Sequence, residues 1–208
     1  MKLLVLGATG GTGLEVVRQA TQRGHHITAF VRSPEKLKPF DGRINVVQGN
    51  LLDGLQLENV IQGHDAVVSA FGPRVPVSNT DAHLLQQFAT VLTQAMLHTA
   101  VRRVVVESVA FLFKEAIIPP AYFLGKLFFP GIVADASAME DVFEDSGLDW
   151  TIARPPELTG KPHTGKYRVR EGRLPLFGFR ISRADVADFM LKAVEDRCLI
   201  GKVVGVCN

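Results

Sequence analysis

A chain of 208 residues, 47% hydrophobic, is long enough to bury a full-sized core as one domain, 1–208, and no low-complexity tract interrupts it. The formal charge is +2 with Lys, Arg, Asp and Glu scattered rather than blocked, which argues against nucleic acid or an anionic membrane as partner. Cys198 and Cys207 lack the number and spacing for a disulfide framework or zinc site, and Leu3 to Leu6 is too short for a signal peptide or membrane span, so a cytoplasmic monomer is expected.

The apolar pattern alternates short β-like runs with longer amphipathic segments, which points to βαβ units in an α/β, Rossmann-like, doubly wound parallel sheet. Strands are predicted at Lys2 to Leu6, Ile27 to Val31, Ile44 to Gln48, Ala66 to Ala70 and Arg103 to Val109. Between them lie a helix from Leu14 to Arg23 ending at Gly24, a turn from Pro34 to Leu37 capped by Ser33, and a helix from Leu55 to Gln62 ending at Gly63. A longer helix follows from about Asp81 to Thr99. Prolines at 119, 120 and 130 make the aromatic stretch from Phe111 to Val133 a loop over the sheet edge. A helix from Ala134 to Ser146 closes on Gly147 before a sixth strand, Asp149 to Arg154. Residues 155–181, again rich in proline, read as a small substrate-covering loop region. Ser182 and Asp185 start a helix running to about Glu195, and Val203 to Cys207 is the last strand.

The strongest chemical signal is Gly7-Ala-Thr-Gly10-Gly-Thr-Gly13, directly after a strand and directly before a helix, where backbone N–H groups and the positive helix end can hold a pyrophosphate. Its spacing is GxxGxxG rather than GxGxxG. Where an NAD-binding chain places an acidic residue after the second strand, Arg32 stands, followed by Ser33 and Lys36. A guanidinium there favours the 2′-phosphate of NADP(H), the alternative being an ordinary solvated arginine.

The segments GATGGTG, VRSPEKL, GNLLD, SAFGPR and DWTIARPPELTG resemble the atypical short-chain dehydrogenase/reductase group that includes NmrA-like proteins. ESVAFLF, SGLDW, HTGKYRV and ISRADVADFML add a particular likeness to flavin reductase, also called biliverdin-IXβ reductase, over nearly the whole chain. The resemblance implies that Gly7, Thr9, Gly10, Gly11, Thr12 and Gly13 meet the pyrophosphate of NADP(H), with Arg32 and Lys36 on its 2′-phosphate and Asn50 and Leu51 flanking the adenine. It also implies Phe71 and Gly72 on the nicotinamide side, Arg74 near phosphate or substrate, and Pro155, Pro156 and Leu158 as the opposite cover. Three positions depart from that pattern: Val109 replaces a serine, leaving Ser108 as the neighbouring candidate catalytic hydroxyl, Glu107 replaces a small thiol, and Glu157 replaces a histidine.

Tyr122 and Lys126 have YxxxK spacing, yet they sit between proline breaks rather than inside a helix, and the spacing is read as coincidence. The helix expected to carry such a pair offers only Asp135, Ser137 and Glu140. A flavin or linear tetrapyrrole accepts hydride into a conjugated ring and takes its proton from water, so the missing pair suits a reductase of that small-molecule class. It suits a non-catalytic NmrA-like redox sensor as well. A sugar-nucleotide epimerase normally needs the pair and ranks last. The histidines, including His163 in the proline-rich loop, are read as surface or capping groups with no metal-ligand spacing, and Trp150 as core. Phe123, Phe128 and Phe129 stay open between ring contact and lid packing.

Overall fold

Short apolar runs and longer amphipathic runs build different elements because a strand buried on both faces needs β-branched residues throughout, whereas a covering helix needs one apolar stripe. The computed structural model describes residues 1–72, 83–113 and 130–208. In chain order the elements are β1 (Lys2–Leu6), α1 (Gly11–Gln22), β2 (His26–Val31), β3 (Asn45–Gln48), α2 (Gly54–Ile61), β4 (Ala66–Ser69), α3 (Leu84–Leu97) and β5 (Arg103–Glu107). They continue with α4 (Pro130–Glu144), β6 (Asp149–Arg154), β7 (Glu157–Thr159), β8 (Arg168–Glu171), β9 (Arg180–Ser182), α5 (Arg183–Glu195) and β10 (Lys202–Cys207).

Among the described residues the main sheet has the order β3-β2-β1-β4-β5-β6-β10-β8, parallel throughout except that β8 joins β10 antiparallel at the edge. This is the Rossmann-like α/β fold expected, and the strand order reverses between β1 and β4. One face buries Val16, Val17 and Ala20 of α1 and Val186, Phe189 and Met190 of α5 against Leu3, Val5 and Val105. The other buries Leu57, Phe88, Leu92, Met139 and Phe143 of α2, α3 and α4 against Leu4, Val67 and Val104. Trp150 packs against this second core, as expected.

Three expectations are corrected. The segment 155–181 is not all loop: β7 pairs with β9 in a small parallel sheet, and β8 extends the main one. These strands are three or four residues long, and β8, Arg-Val-Arg-Glu, is wholly exposed, so no apolar alternation marks it. The helix α4 begins at Pro130, inside the stretch read as loop, because proline is tolerated at a first helical position whose N–H would be unpaired anyway. The turn after β2 is a 3₁₀ segment, Glu35–Phe40, whose cap is Pro34 rather than the Ser33 side chain.

Caps elsewhere follow the sequence. Asp53 accepts from Gln56 N at 3.1 Å and opens α2, and Ser182 Oγ accepts from Asp185 N at 2.9 Å and opens α5. Among the described residues no helix is long and apolar enough to cross a membrane.

Candidate dinucleotide site

The carboxyl ends of β1 to β6 lie on one edge of the sheet, and the candidate residues follow those ends, so chain direction alone gathers them. Gly7 leaves β1 with φ +71°, and a Cβ there would lie 2.5 Å from the Ala70 carbonyl oxygen; a Cβ on Gly13 would drive into the Gly7 carbonyl. The turn closes through Gly10 N donating to Gly7 O at 2.9 Å. Side chains are therefore excluded from a tight cradle at the start of α1.

Unlike α2 and α5, α1 has no side-chain cap, and unlike α5 it has no acidic residue in its first turn. The first-turn amides of an α-helix have no intrahelical acceptor, and together with the helix dipole they favour an anion. The tight glycine turn and the open first-turn amides of Gly11, Thr12 and Gly13 thus fit the diphosphate of a dinucleotide, which these amides would hold.

Arg32 is exposed just after β2, the strand paired with β1, and Lys36 of the 3₁₀ turn places Nζ 3.4 Å from the Thr9 carbonyl oxygen, so the Lys36 ammonium stands beside the cradle. Asn50 is held by its own turn: its amide donates to Gln56 Oε1 at 3.0 Å and its Oδ1 accepts from Leu52 N at 3.1 Å. Leu51 packs against the second core. Phe71 packs on Phe88 with centroids 4.7 Å apart and ring planes tilted by 48°, which turns its ring toward that core and leaves backbone and the open Gly72 at the strand end. Pro155 is buried, and its carbonyl accepts from Ala110 N at 3.0 Å, tying the segment after β6 to the one after β5; Pro156 follows half-buried, and Leu158 packs against the first core. Arg74, Tyr122, Lys126, Phe123, Phe128 and Phe129 lie outside the described residues.

Two carboxyl groups flank the end of β5. Glu107 Oε1 accepts from Thr12 Oγ1 at 3.1 Å; burial pushes this carboxyl up to about 7, against the opposing pull of the Thr12 hydrogen bond and the Arg183 charge. Ser108, buried, donates through Oγ to Glu140 of α4. Arg154 of β6 forks onto the same carboxylate, with Nε 3.0 and 3.1 Å from its two oxygens, and its guanidinium lies 4.6 Å from the centroid of Phe113. Burial raises the Glu140 carboxyl, and Arg154 and Ser108 pull it back.

Sequence reasoning named Glu140 without its partners and missed Arg154 and Arg183 altogether. A signal for Glu140 was present: Ala136, Met139 and Phe143 form the buried stripe of α4, and Glu140 stands in it at helical spacing. Glu157 is exposed and paired with Arg180, whose Nε donates at 2.9 Å. Tyr167 donates to Asp188 at 2.5 Å, and burial together with that carboxylate raises the phenol well above its ordinary range, so Tyr167 beside Lys192 is no activated acid.

His163 Nε2 lies 3.5 Å from Asp188 and 3.8 Å from Asp185. Asp185 also accepts from Thr164 N at 2.8 Å and Gly165 N at 2.9 Å, so this group fastens the loop after β7 onto α5.

Over residues 7–197 the sequence matches the family described as NAD(P)H-binding. A relative in Arabidopsis thaliana, called "Uncharacterized protein At2g34460, chloroplastic", is 33% identical over 202 residues, covering 93% of this chain and 71% of its own. A short-chain dehydrogenase/reductase from Veillonella parvula solved with NADP superposes with a TM-score of 0.84 at 18% identity, covering 100% of this chain and 94% of that one. A Streptococcus pneumoniae protein proposed as an NADH-flavin reductase gives 0.81 at 23% identity, covering 100% and 99%. At those identities the two structures speak to the fold, while the family match runs from the first glycine of the cradle to beyond the end of α5. The chain belongs to the NAD(P)H-binding family, and its sheet has the Rossmann-like strand order.

Proposed function

We propose that the protein is an NADPH-dependent reductase of a flat conjugated small molecule, a flavin such as FMN or a linear tetrapyrrole such as biliverdin. The observation that carries this reading is the Lys36 ammonium 3.4 Å from the Thr9 carbonyl of the glycine cradle, with the exposed Arg32 following the end of β2 where an NAD-binding chain has an acidic residue. Two cations at that place suit a 2′-phosphate and leave NADH without a matching group.

When bound, NADPH supplies the hydride. The chain's residues hold and orient: the α1 amides take the diphosphate, and Pro155, tied to Ala110, supports the cover on the substrate side. Ser108 spends its hydrogen on Glu140, so its free lone pairs can accept from the bound ring system and position it rather than protonate it. A conjugated ring that draws its proton from water asks for no more.

The test is the absorbance of NADPH followed with purified protein, alone, with FMN and with biliverdin, against an NADH control. Acceptor-dependent loss of NADPH supports the reductase and ranks its acceptors. Tight NADPH binding with no turnover on either acceptor replaces it by a redox sensor.

A further inference from the structure

Gly11 has no positive φ, so the backbone does not require a glycine there. What its missing side chain admits is Arg183: a Cβ on Gly11 would lie 2.6 Å from Arg183 Cδ and 2.8 Å from Nε. The first residue of α5 thus sends its side chain across the first turn of α1, and its charge acts on Glu107, the carboxyl that Thr12 of the same turn engages. A cation at the first position of a helix opposes that helix's dipole, so α5 gains nothing from it. Nor does an ion pair explain it, since none involves Arg183 among the described residues.

We propose that Arg183 is a ligand of the dinucleotide's diphosphate, delivered from α5 onto the first turn of α1, and Gly11 is the slot that lets it through. The assignment rests on the dinucleotide reading and deepens it. The cradle's open amides alone offer partial charges, whereas a guanidinium adds a full charge and a fork matched to phosphate oxygens. The diphosphate is common to NADPH and NADH. Arg183 therefore contributes to both cofactors equally, in contrast to Arg32, which faces the group that distinguishes them.

The experiment measures Kd for NADPH and for NADH, by nicotinamide fluorescence or calorimetry, on the full chain and on Arg183→Ala, Arg183→Lys, Arg32→Ala and Gly11→Ala. Arg183→Ala is expected to raise both Kd values about 10-fold, the loss of one charged hydrogen-bonding partner, and Arg183→Lys is expected to fall between it and the wild type. Gly11→Ala, which blocks the slot, is expected to weaken both cofactors similarly and to add little in the Arg183→Ala background. Binding of both cofactors by a folded Arg183→Ala within two-fold of wild type overturns the assignment and leaves the dinucleotide reading standing. Loss confined to NADPH also overturns it, by moving Arg183 to the 2′-phosphate. If Arg183→Ala does not fold, wild-type affinity in Arg183→Lys together with undiminished binding by Gly11→Ala overturns it. Wild-type protein that binds neither nucleotide removes the reading and the assignment together.

Discussion

Ser108 at the end of β5 and Glu140 in the middle of α4 are joined by a hydrogen bond in which the serine hydroxyl donates, and Arg154 of β6 holds the same carboxylate. Three consecutive elements, β5, α4 and β6, meet on one buried charge. Removing one partner of such a pair leaves the other unpaired in a poor solvent for charge. Glu140→Ala is expected to destabilise the fold by about 3–5 kcal/mol for that reason, read from urea unfolding curves. A loss under about 1 kcal/mol would mean that Arg154 is solvated and the bond is peripheral.

Arg32→Ala should weaken NADPH by about 2–3 kcal/mol, the worth of lost charged hydrogen bonds, and leave NADH nearly unchanged. Equal weakening of both cofactors would remove the 2′-phosphate role of Arg32. Titrations of both nucleotides against the variant decide it.

Glu107 makes stability depend on pH near neutrality. Burial raises its carboxyl from 4.5 to about 7, so the folded state prefers the protonated form and binds more protons than the unfolded chain between those values. Its contribution is therefore complete below about 4.5 and is lost as the pH rises through about 7. Glu107→Gln should match the wild type near pH 4 and exceed it above pH 7 by up to about 2–3 kcal/mol. Thermal melts across that range test it, and a gain that is flat with pH would rule out the titration of Glu107 as its source.

Asp185 has the opposite sign. Burial pushes its carboxyl up, but hydrogen bonds from Thr164, Asn208, Gly165 and Ser182 outweigh that and hold it at about 2, below the ordinary 3.8. Its stabilisation is present above about 3.8 and is lost as the pH falls through about 2. Asp185→Asn should cost about 2 kcal/mol at pH 7 through weakened charged hydrogen bonds. It should also loosen the segment after β7, which amide exchange of Thr164 and Gly165 would register as faster exchange. Unchanged exchange there would detach the loop from this carboxylate.

Tyr122→Phe is expected to leave FMN reduction nearly intact, because a conjugated ring that takes its proton from water needs no phenol, and the YxxxK spacing falls in a proline-broken stretch of sequence between Pro119-Pro120 and Pro130. A collapse of turnover at normal NADPH affinity would restore the phenol as the acid.

Much of this architecture is local and was legible in sequence. The alternating runs located β1 to β6 and β10, and Ser182 with Asp185 marked the start of α5. The glycine turn identified the cradle because its spacing, its strand and its helix are consecutive in the chain, and its geometry depends on backbone constraints that glycine alone relieves. The strands within 155–181 were not legible: three or four residues cannot show a period, and β8 is an edge strand exposed on both faces.

The glycine cradle, then, was determined by the sequence itself, within thirteen residues. Tertiary structure alone decided what the polar side chains around it do. Ser108 meets Glu140 across 32 positions, and Arg183 reaches Gly11 from α5, the last helix in the element order. Neither spacing has a periodicity to read, because such contacts are set by how helices from distant parts of the chain pack on the sheet.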